Sequence, residues 1–144
     1  MTERTVITTS ESETFELAVN FAKTLEAGSV ICLSGDLGAG KTVFAKGICS
    51  ALDVTEYISS PTFTIVNEYE GKMRVFHFDM YRIEDEDELI EIGYDEYLAS
   101  GGICIIEWPE NIKNSLPKKR IEISILRDLS VGDDVRKVIF KEFK

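Results

Sequence analysis

Gly35-Asp36-Leu37-Gly38-Ala39-Gly40-Lys41-Thr42 has the spacing G-x-x-x-x-G-K-[ST], and each residue type in it has a task that a triphosphate would set. Glycines let backbone N–H groups turn inward around phosphate oxygens where a Cβ would crowd the loop. Lys41 is placed to reach the β and γ phosphates, and the Thr42 hydroxyl to join the shell of a Mg²⁺ ion. A helix beginning at that point adds the partial positive charge of its N-terminus. Average residue usage produces the pattern by chance in roughly one chain of this length in two hundred. The plain alternative, a glycine-rich turn with an exposed lysine, does not account for the strand-like run before the loop and the helical run after it.

Phosphoryl chemistry at such a loop also needs a carboxylate at a strand end to complete the metal shell, and a group that orients the attacking water. Asp79 closes the apolar run Val75-Phe76-His77-Phe78, and Glu107 closes Ile103-Cys104-Ile105-Ile106. Both qualify, and the residues alone leave open which takes which role. Ser59-Ser60-Pro61-Thr62 is either a hydroxyl-rich loop able to close on a γ phosphate or a proline-anchored turn. Arg82 could neutralise charge on the transferred phosphoryl or pair with the acidic residues that follow it. Trp108 stands at the rim of the presumed site, where it packs on nucleotide or caps the core. His77 sits between two phenylalanines and reads by default as a hydrogen-bonded core histidine.

The elements that must carry these residues are legible as an alternating order. Ser10-Glu11-Ser12-Glu13 has capping-box spacing, and Phe15, Ala18, Phe21, Ala22 and Leu25 recur at helical intervals, which predicts a helix of about four turns closed by Gly28. Val30 to Leu33 reads as a central parallel strand and Thr42 to Leu52 as the helix behind the loop. Phe63 to Tyr69 and Met73 to Met80 flank Glu70-Gly71-Lys72 as an antiparallel hairpin. Ile83 to Ser100 is helical with an interruption at Gly93, Ile103 to Ile106 is a second central strand, and Arg120 to Leu126 and Val135 to Phe143 form a closing β pair. The expected fold is α/β: one compact three-layer domain over residues 1–144, with a mixed, mostly parallel sheet and one antiparallel hairpin.

Composition narrows the function classes. With 16 Lys plus Arg against 26 Asp plus Glu the net charge is −10, so a general coating of nucleic acid is disfavoured. Lys118-Lys119-Arg120 is long enough only for a local phosphate contact. Glu84-Asp85-Glu86-Asp87-Glu88, followed by Glu91, Asp95 and Glu96, is a solvated face or a docking surface for a basic partner. Cys32, Cys49 and Cys104 are widely spaced among apolar neighbours and read as core residues rather than a disulfide framework or, with a single histidine, a zinc site. The polar first twelve residues lack a secretory pattern and no run approaches a membrane span, so a cytoplasmic compartment without membrane contact is expected.

Taken in order, GDLGAGKT at 35–42, SPTF at 60–63, HFDMYR at 77–82 and EWPE at 107–110 resemble the TsaE (YjeE) family, small bacterial P-loop ATPases needed for the threonylcarbamoyladenosine modification of transfer RNA at position 37. The resemblance implies ATP and Mg²⁺ as cofactors and TsaB and TsaD as partners, with a TsaC-type enzyme making threonylcarbamoyl-adenylate. Transfer RNA is met indirectly or by local contact. In that picture ATP hydrolysis resets the TsaB–TsaD machine, and the ATPase is not itself the transferase. It further implies that residues 35–42 bind nucleotide, that Thr42 and Asp79 hold metal, that Glu107 is the Walker B-like acid, that Thr62 lies in a switch-like loop and that Trp108 borders the nucleotide. The main alternative is a small-molecule kinase, which needs an arginine-bearing lid and an acceptor pocket; no arginine-rich lid segment stands out in the sequence. A GTPase is disfavoured because no N-K-x-D guanine-reading sequence is present. A nucleotide-gated interaction module with negligible turnover is a third possibility.

Overall fold

The computed structural model describes residues 2–36, 38–56, 58 and 65–144. In chain order the elements are β1 (Thr2–Thr8), α1 (Glu11–Ala22), β2 (Val30–Gly35), α2 (Lys41–Ala51), β3 (Val66–Tyr69), β4 (Val75–Asp79), α3 (Glu88–Ile92), α4 (Tyr94–Ala99), β5 (Ile103–Glu107), a 3₁₀ segment (Pro109–Ser115), β6 (Arg120–Arg127) and β7 (Arg136–Phe143). The described strands form a seven-stranded sheet in the order β1-β7-β6-β2-β5-β4-β3. Its centre, β6-β2-β5-β4, is parallel, while β3 on one side and β7 and β1 on the other run antiparallel to their neighbours.

Alternation along the central strands divides the core into two layers. Ile31 and Leu33 of β2, with Ile103 and Ile105 of β5, face α1 and α2, where they pack with Phe21, Phe44 and Phe140. Val30, Cys32, Cys104 and Ile106 face the other way and meet Phe76, Phe78, Tyr94 and Ile112 beneath α3, α4 and the 3₁₀ segment. Being covered on both faces, β2 and β5 can be continuous apolar runs, and all five residues of β5 are buried, Glu107 included. The expected α/β three-layer architecture is therefore present, with its antiparallel hairpin at β3–β4.

Ser10 caps the helix as its spacing predicts, its hydroxyl accepting from Glu13 N–H at 3.1 Å, while the return bond of Glu13 goes one residue further back, to Thr9 N–H at 2.7 Å, rather than to Ser10. The helix ends at Ala22, earlier than the apolar spacing through Leu25 suggests, because the Thr24 hydroxyl donates to the Phe21 carbonyl and draws the chain into a turn. Gly28 lies in the following turn with φ of 84°. Gly93, at φ of 75°, separates α3 from α4 as expected. Strand β1 has no counterpart in the sequence pattern: the amino end pairs antiparallel with β7 from Thr2↔Glu142 to Thr8↔Arg136.

Candidate functional site

The loop between β2 and α2 is held open by glycine geometry. Gly35 ends β2 at φ of 144°, where a Cβ would run into the Ile125 carbonyl of the neighbouring β6. Gly40 starts α2 at φ of 114°, a left-handed conformation costly for any residue with a Cβ, and it caps the helix without a side-chain hydrogen bond. Gly40 thus brings no capping side chain to the first-turn N–H groups of α2, an arrangement that suits a phosphate. On the outer side, the Arg127 guanidinium donates to the Gly38 carbonyl at 3.1 Å and Arg136 Nε donates to the Ala39 carbonyl at 2.8 Å. Two arginines from the closing β pair therefore hold the carbonyls of a loop some ninety residues earlier. Sequence spacing gave no sign of this brace, since it depends on β6 lying next to β2.

Parallel register brings the carboxylates to the same end of the sheet. Glu107 is paired with Leu33 of β2, just before the loop, and with Asp79 of β4 on its other side. Because Phe76 and Phe78 face α3 and α4, His77 and Asp79 face the α2 side, as Glu107 does. Lys41 is 8% exposed and Glu107 5%, so the cation and the acid are both largely withdrawn from solvent. Asp79 is half-buried, and its Oδ1 accepts from Tyr81 N–H at 3.0 Å. Burial pushes the Asp79 pKa up and the Glu107 charge adds to this, while the Tyr81 N–H, His77 and Lys41 pull in the opposite sense.

Trp108 follows Glu107 in a left-handed conformation, φ 58° and ψ 48°, rare for a bulky residue and a sign of a position fixed by its surroundings. Its ring lies 4.8 Å from Lys41 Nζ and 4.9 Å from the Tyr81 ring. Asn111 Nδ2 donates to the carbonyls of Met80 and Tyr81 at 3.0 and 3.2 Å, tying the 3₁₀ segment to the end of β4. The indole thus lies against Lys41 at the start of α2 as well as against Tyr81.

Chemically, these residues offer a cradle of backbone N–H groups, a buried cation and two carboxylates side by side at the carboxyl ends of parallel strands. That is where open α/β sheets bind ligands. The glycine cradle, the glycine at the helix start and the acidic pair all fit a triphosphate with a hard divalent cation.

The family model described as "Threonylcarbamoyl adenosine biosynthesis protein TsaE" matches residues 8–137. The chain belongs to the TsaE family. It is 43% identical to the tRNA threonylcarbamoyladenosine biosynthesis protein TsaE of Bacillus subtilis (strain 168) over 134 residues, 92% of this chain and 82% of that relative. The TsaE of Treponema pallidum (strain Nichols) is 38% identical over 127 residues, 88% of this chain and 93% of the relative. Among solved structures, the crystal structure of Bacillus subtilis YdiB superposes with a TM-score of 0.85 at 35% identity, covering 99% of this chain and 87% of that one.

Within this TsaE-family chain, Gly35, Gly38, Ala39, Gly40, Lys41 and Thr42 lie in or directly behind the loop, and Asp79, Glu107 and Trp108 converge on it. Leu37, Thr62 and the rest of Ser59-Ser60-Pro61-Thr62 fall outside the described residues. Arg82 and Asp36 are exposed. Carboxylates of the acidic segment cap its own turns: Glu88 accepts from the N–H groups of Glu84 and Asp85, and Asp85 from Asp87 N–H, each at 2.9 Å. The three cysteines are free and buried, with burial pushing each thiol up to about 12. No helix among the described residues is long and apolar enough to cross a membrane.

Proposed function

We propose that this TsaE-family chain binds Mg-ATP and hydrolyses it in support of tRNA threonylcarbamoyladenosine biosynthesis, working with TsaB and TsaD. The observation that carries the reading is the convergence of Lys41, Asp79 and Glu107 on one glycine loop at one end of the sheet. In this reading Lys41 and the α2 N–H groups hold the β and γ phosphates, and the Thr42 hydroxyl and the Asp79 carboxylate hold the cation. Mg²⁺ bound there supplies charge neutralisation on the transferred phosphoryl group. Glu107, buried and shielded from bulk water, orients the attacking water and takes its proton. Trp108 bounds the nucleotide side and keeps the Lys41 ammonium aimed inward. The family descriptions support the biosynthetic role, and the site geometry supports the phosphoryl chemistry.

The direct test is phosphate release from ATP by the wild type and by Lys41→Ala, alone and with a TsaB–TsaD preparation. Slow release that rises at least about tenfold with the partners, a barrier lowered by about 1.4 kcal/mol or more, and that vanishes in the variant is expected. Nucleotide binding without turnover, partners present, would replace hydrolysis by a gating role. Transfer of the phosphoryl group to a metabolite would replace it by a kinase.

A further inference from the structure

His77 and Glu107 form a buried pair that the loop chemistry leaves unexplained. Nε2 of His77 lies 2.6 Å from Glu107 Oε2, a short, charge-assisted separation, and the two residues are 1% and 5% exposed. An ionised carboxylate only accepts, so the ring donates from Nε2. The other nitrogen, Nδ1, is buried and has no hydrogen-bond partner among the described residues. A histidine kept for core stability is expected to satisfy both nitrogens, since buried polar atoms are rarely left alone. Here the ring's single described bond goes to the acid. Its neighbours are apolar on one side: His77 pairs in register with Ile105 of β5 and follows Val75 on the same face, with Asn67 of β3 on the other side.

We propose that His77 is a positioning residue for Glu107, fixing the carboxylate rotamer in which it faces the attacking water. This rests on the hydrolytic reading given above. A glutamate has three side-chain torsions, whereas the ring is locked by its strand and donates along one direction. The ring meets Oε2, so it fixes the carboxylate without itself covering both oxygens. Groups that orient a reacting side chain in this way contribute about ten- to a hundredfold when removed.

His77 is the chain's single histidine, so a tag-free, ¹⁵N-labelled sample reports it without assignment. Long-range ring ¹H–¹⁵N correlation of the free protein should show a proton on Nε2, strongly downfield, that moves upfield in Glu107→Gln. A proton on Nδ1 alone, or a signal indifferent to Glu107→Gln, overturns the pairing. In the partner-stimulated assay, His77→Phe should lower kcat by about tenfold or more while ATP affinity stays within about twofold. His77→Gln, whose side-chain N–H can reach where Nε2 does, should recover part of that loss. Wild-type kcat in His77→Phe, or equal losses of kcat and ATP binding in both variants, overturns the positioning role alone. No phosphate release from the wild type overturns the hydrolytic reading and this inference with it.

Discussion

Asp79 shows at a single residue how the site is set against the fold. Its carboxyl group is half-buried at the end of β4, opposite Glu107, and burial first and the neighbouring charge second raise its pKa above the ordinary 3.8. A raised folded-state pKa means that the ionised form is disfavoured in the native protein. The stability linked to this group is therefore fully present below the unfolded value and is lost as pH rises through the raised one. Asp79→Asn should accordingly raise Tm near pH 7 while abolishing Mg²⁺-dependent phosphate release. The gain in Tm should shrink as the pH is taken below the ordinary carboxylate range, where the wild-type group is protonated too. Thermal melts of both proteins across that pH range check the sign, and a variant less stable at pH 7 than at pH 3 relative to wild type contradicts it.

At the scale of elements, β5 carries both structure and chemistry. Ile103, Ile105 and Ile106 are fully buried between the two helical layers and end in Glu107. Ile105→Ala should cost about 2 to 5 kcal/mol, a large part of the roughly 5 to 15 kcal/mol expected for a domain, measured as a lower urea midpoint with unchanged slope. The same strand explains what could be read in advance. Doubly covered strands are written as apolar runs, so β2 and β5 were legible, as was the loop between β2 and α2. Strand β1 was not, because nearly all of Thr2–Thr8 is exposed or partly exposed and carries no alternation; its place comes from pairing with β7, 128 to 140 residues later. The His77–Glu107 contact escaped for a related reason: it needs the register of β4 against β5, which no local pattern encodes. The places of Lys41, Asp79, Glu107 and Trp108 at strand and helix boundaries were legible, since each stands in a motif at the end of an apolar run or the start of a helical one.

For the whole molecule the net charge of −10 is distributed unevenly, with Glu84, Asp87 and Glu91 among the exposed acids of one segment. Glu86 and Glu88 have local work there: Glu86 accepts from the Ser115 hydroxyl at 2.5 Å and Glu88 caps the preceding turn. If that surface steers a basic partner, replacing Glu84, Asp87 and Glu91 with serine should slow association with a TsaB–TsaD preparation several-fold at low salt and little at high salt, with Tm unchanged. Stopped-flow association at two ionic strengths decides it, and equal rates at low salt count against docking there. The brace on the glycine loop carries a consequence for synthesis. Arg127 and Arg136 are 89 and 97 residues downstream of the carbonyls they hold. A nascent chain therefore carries its complete glycine loop long before translation delivers the two arginines that hold its carbonyls, so the loop can take its braced shape only after the start of β7 has been made.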